Sequence, residues 1–77
     1  MTIPGLDRIT FDRDILGGQA CIRGMRIPVH VIVSQVAHGA STAEILDDYP
    51  DLEPDDIRQA LKYAALLTQD RLLERAS

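Results

Sequence analysis

Seventy-seven residues form one small domain with no room for a second core. The single cysteine, Cys21, excludes an internal disulfide, and no Cys/His cluster has zinc spacing, so oligomerisation is the route to extra stability left to so short a chain. A formal charge of −4 and a pI near 4.8 argue against strong non-specific binding to nucleic acid, which needs a basic footprint.

In chain order, Arg8-Ile9-Thr10-Phe11-Asp12 alternates polar and apolar residues and predicts a short strand. The run Ile15–Ile22 predicts a Gly17-Gly18 turn and a second β segment ending at Gly24. A two-stranded ribbon is not stable alone, so it lies on helices or pairs with another chain, its open edges offering a seam. From Val29 the period changes. Val29, Ile32, Val33, Val36 and Ala37 mark one face of a helix that Pro28 opens and Gly39 closes. Ser41-Thr42-Ala43-Glu44 is a capping box launching a short helix, with Thr42, Ile45, Leu46 and Tyr49 on one face and Pro50 as its stop. Pro54-Asp55-Asp56 opens the longest helix, with proline in its first turn and two carboxylates on the positive end of its dipole. Its main stripe is Ile57, Ala60, Leu61, Ala64, Leu67 and Thr68. The expected fold is mainly α: one domain over 1–77, with a β ribbon and basic segment at 8–28 and a three-helix core at 29–75.

Between Ala60 and Leu67 only Lys62 is charged, and Tyr63 and Leu66 lie off the main stripe. Such a helix is either central to the core and touched from several sides, or packed on a second copy through Tyr63, Leu66 and Leu73. The size of the chain favours the homodimer.

Charge is polarised along the chain. Residues 1–30 carry four arginines against three aspartates, +1 in all, and residues 31–77 carry four bases against nine acids, −5 in all. Seven acids lie between Glu44 and Asp56. Glu44, Asp47, Asp48 and Asp51 lack the alternating acids and central glycine of a calcium loop and read as a solvated acidic face. In the basic segment, Arg23 and Arg26 flank Gly24 and Met25. They either grip phosphate or a partner's carboxylates, or pair internally with the acidic stretch and lock ribbon to helices.

No catalytic constellation is present. Cys21 sits in an apolar β segment, and His30 and His38 lie eight residues apart, about 12 Å along a helix, too far to share a metal within one chain. The glycines lack the Gly-Lys-Ser/Thr of a phosphate loop. No enzyme activity, cofactor, metal or small-molecule substrate is expected. There is no membrane-length apolar run or signal-peptide core, so the expected location is cytoplasmic. Three helices with a tight turn outline a helix-turn-helix, in which Arg58 and Lys62 share one side of the last helix and Gln59 is a candidate base reader. The acidic start of that helix, Glu53-Pro54-Asp55-Asp56, would be repelled by phosphates, and the residues favour a protein partner over groove insertion.

The blocks Gly17–Val29 (GGQACIRGMRIPV), His38–Ser41 (HGAS), Glu44–Leu52 (EILDDYPDL) and Asp56–Ala64 (DIRQALKYA) resemble the small bacterial domain-of-unknown-function family 433, over about residues 8–65. The first block with its IRGxRIPV pattern and the DYPxL pattern are specific in combination. The resemblance implies a winged-helix or homeodomain-like helix-turn-helix core behind short strands. It also implies a role as a Vap-type antitoxin acting on a PIN-like ribonuclease toxin, with operator DNA as a second partner. The alternatives are a helix-turn-helix transcriptional regulator without a toxin, and an interaction module that does not touch DNA. Two positions depart from the family pattern: Met25 and Glu53 stand where threonine, or threonine or serine, is usual.

Overall fold

The computed structural model describes residues 3–69. Two strands, β1 (Ile9–Phe11) and β2 (Ala20–Ile22), precede three helices, α1 (Val29–Ala37), α2 (Thr42–Asp48) and α3 (Pro54–Leu67). The strands pair antiparallel with Ile9 opposite Ile22, Thr10 opposite Cys21 and Phe11 opposite Ala20. Strand alternation puts Ile9 and Ile22 on the same side of the ribbon, and both are fully buried against the helices. Of the two expectations for the ribbon, packing on the chain's own helices is therefore realised. The turn expected at Gly17-Gly18 is present, and the β segment expected to end at Gly24 ends at Ile22. Leu16, Gly17 and Gly18 all take positive φ and form a tight turn, so extended pairing begins at Ala20.

Beyond β2 the chain reverses over Arg23-Gly24. Both residues have positive φ (45° and 71°), and the Met25 N–H donates to the Ile22 carbonyl at 2.8 Å, as in a type I′ turn. Gly24 is at home there; Arg23 carries a side chain into the left-handed region, at a cost of about 1–2 kcal/mol. The Ile22 N–H then bonds the Ile27 carbonyl at 3.0 Å, and Pro28 delivers the chain into α1.

Each helix end has an identifiable cause. At the end of α1, Gly39 (φ 93°) supports paired bonds, from the Gly39 N–H to the Val36 carbonyl and from the Ala40 N–H to the Gln35 carbonyl, both 3.0 Å. The box at α2 forms as its sequence predicts: the Glu44 N–H donates to Ser41 Oγ at 3.1 Å and the Ser41 N–H to Glu44 Oε1 at 2.8 Å. Pro54 begins α3.

Leu6, Ile9, Ile22, Val29, Ile32, Ile45, Leu52, Ile57 and Ala60 make one core, with α1 against α3 as its largest helix contact. Each fully buried isoleucine contributes about 1.5–3 kcal/mol by transfer from water. Along α3 the inward face keeps Ile57, Ala60 and the half-buried Ala64 of the expected stripe and adds Asp56. Asp56, Ile57 and Ala60 are buried, and Tyr63 packs edge-on against Phe11, with ring centroids 5.8 Å apart. Leu61 and Leu67 of the expected stripe are exposed. The helix is rotated so that Asp56 meets two arginines of the ribbon half, and that rotation carries Leu61 outward.

Replacing Ser41 with alanine removes the acceptor for the Glu44 N–H. It should lower stability by about 1 kcal/mol in urea unfolding followed by circular dichroism, with native secondary structure retained.

Candidate functional site

Two arginines of the ribbon half, the 51–53 loop and the start of α3 are organised around one carboxylate. Asp56, in the first turn of α3, is 0% exposed and accepts four hydrogen bonds. Arg23 reaches it in a two-point grip, Nε to Oδ1 at 2.9 Å and Nη2 to Oδ2 at 2.8 Å. Arg8 Nη1 donates to Oδ1 at 3.0 Å, and the Glu53 N–H to Oδ2 at 2.7 Å. The same two arginines tie down the neighbouring loop. Arg8 Nη1 also binds Glu53 Oε1 at 2.7 Å, and Arg23 Nη2 donates to the Asp51 carbonyl at 2.7 Å. Arg8 precedes β1 and Arg23 follows β2, so the cluster pins the open end of the ribbon hairpin to α3.

Burial alone would raise the Asp56 carboxyl above its ordinary value. The bonds from Arg23, the Glu53 N–H and Arg8 outweigh that effect and hold it below 3.8. The two guanidinium groups are pushed the opposite way, Arg8 chiefly by Glu53 and Arg23 chiefly by Asp56. Asp7 is also held below its ordinary value, first by its bond from the Gln59 amide, and Glu44 by the Ser41 N–H.

The residues singled out from sequence divide around this cluster. Of the two readings open for the arginines, Arg23 takes the internal one, which removes it as a free phosphate or partner ligand. Arg26 is exposed and makes no ion pair among the described residues. Gln59 is not free to read a base: its Oε1 accepts the Arg8 N–H and its Nε2 donates to Asp7 Oδ1, both at 2.9 Å. Arg58 and Lys62 are exposed, and Arg58 is held by Asp55 at 2.7 Å one turn back. Glu44 is exposed but engaged by Ser41; Asp47, Asp48 and Asp51 are exposed and make no ion pair among the described residues. Of the dimer candidates, Tyr63 is half-buried with its ring edge-on to Phe11, Leu66 is 54% exposed, and Leu73 lies outside the described residues. Among the described residues no group of three His, Cys, Asp or Glu is placed to hold a metal ion, and no helix is long and apolar enough to cross a membrane.

Arg8 and Asp56 are the members of the cluster that reading the sequence missed. The signal for Asp56 was available: it lies four residues before Ala60, on the inward stripe, where a carboxylate demands a buried cation. Its proximity to a helix start supplied a sufficient explanation from the dipole and concealed the second role.

Because the folded carboxyl binds its proton less readily than the unfolded one, the clamp's stabilisation is complete above pH 3.8 and is lost as the pH falls through the lower folded value. Acid titration of unfolding should show stability dropping in that window. Asp56→Asn should cost about 3–5 kcal/mol near neutral pH and flatten the acid limb. An unchanged limb would show that Asp56 does not drive it.

Residues 9–64 match the family described as "Protein of unknown function (DUF433)". An uncharacterized protein, y4eO of Sinorhizobium fredii (strain NBRC 101917 / NGR234), is 41% identical over 56 residues, covering 73% of this chain and 25% of that protein. The crystal structure of a DUF433 member from Anabaena variabilis is similar at 39% identity and a TM-score of 0.68, over 73% of this chain and 55% of that one. The chain thus spans about a quarter of the first relative's length and about half of the second's. With both strands, all of α1 and α2 and most of α3 inside the matched region, this chain belongs to the DUF433 family.

Proposed function

We propose that the chain is a protein-binding module whose acidic face covers a basic surface, and that it serves as the antitoxin of a type II toxin–antitoxin pair against a PIN-like ribonuclease. One observation carries this reading. The fold draws Arg8 and Arg23 to Asp56 and leaves Asp47, Asp48 and Asp51 exposed without a cation among the described residues. The charges of these two arginines are thereby spent on Asp56 and its neighbours. A surface of one sign steers and selects a partner of the other sign. A ribonuclease must present positive charge to an RNA backbone, and an acidic cover placed there blocks the substrate. The family resemblance supports the same partner.

Operator binding by a helix-turn-helix with α3 as its reading helix is the second reading. What favours it is the exposure of Arg58 and Lys62 one turn apart on α3. With Gln59 bound to Asp7 and Arg8, these two side chains offer phosphate contacts more readily than base contacts.

A PIN-like ribonuclease should be encoded beside the chain's gene, and the chain should co-purify with it and suppress its activity. Asp47→Asn/Asp48→Asn/Asp51→Asn should slow association by about tenfold or more at low ionic strength, and less at high salt. Failure of the wild type to bind or inhibit that nuclease would remove the antitoxin reading. In a gel shift on the promoter of its own gene, retardation abolished by Arg58→Ala/Lys62→Ala would support the operator reading; no retardation by the wild type at low salt would exclude binding by the free protein.

A further inference from the structure

We draw no further inference here: the strongest candidate, the cleft of about 300 Å³ between α1, β2 and the last turns of α3, carries nothing because nothing in the structure shows what covers it.

Discussion

A buried carboxylate between two arginines is the constraint on which the rest of this small structure depends. Asp56 has no access to water, and an isolated charge there would be prohibitive. The two guanidinium groups make it tolerable, and satisfying them fixes three things together: the rotation of α3, the seating of the β hairpin and the path of the 49–53 loop. An apolar side chain of similar volume could be as stabilising, since buried ion pairs return little net free energy after desolvation. Such a side chain would not dictate which residues of a distant hairpin approach it. The two bonding directions of a carboxylate do, and Arg8 and Arg23 answer from positions 48 and 33 residues away.

Local features of this fold were legible in the sequence because their causes are local. Pro28 and Gly39 bound α1, Ser41 and Glu44 cap α2, and Pro54 starts α3, each through contacts within a few residues. Features decided across the chain were not legible. Gln59 looks like a free amide on a helix surface until Asp7 and the Arg8 N–H arrive from the other end of the sequence. The inward face of α3 was misjudged for the same reason. Leucine spacing placed Leu61 and Leu67 inside; the side of α3 that brings Asp56 to its cations leaves Leu61 at the margin, and Leu67, on the same side as Ala60, lies past the buried core. Of the candidate site, the acidic face could be read in advance and internal pairing of Arg23 was one of two open readings; that Asp56 is the partner, and that Arg8 joins it, could not be read.

The outcome is a division of labour along α3. Its first turn is dense with charge that is largely satisfied within the chain, and Leu66 and Leu67 near its end are exposed among the described residues. Two kinds of surface on so small a body can serve two kinds of contact without competition. In the relatives, the region matched to this chain is only part of a longer protein. A module with separate polar and apolar ends suits such settings, because one end can be occupied while the other remains accessible.

The turn after β2 shows how far the clamp overrides local preference. Glycine or asparagine would relax the left-handed backbone at position 23, and either would deprive Asp56 of its two-point partner. The position is frustrated, in the sense that its backbone and its side chain ask for different residues, and the chain resolves the conflict for the side chain. Improving the turn in isolation would therefore loosen the domain, and gains taken from turn statistics would fail at this residue.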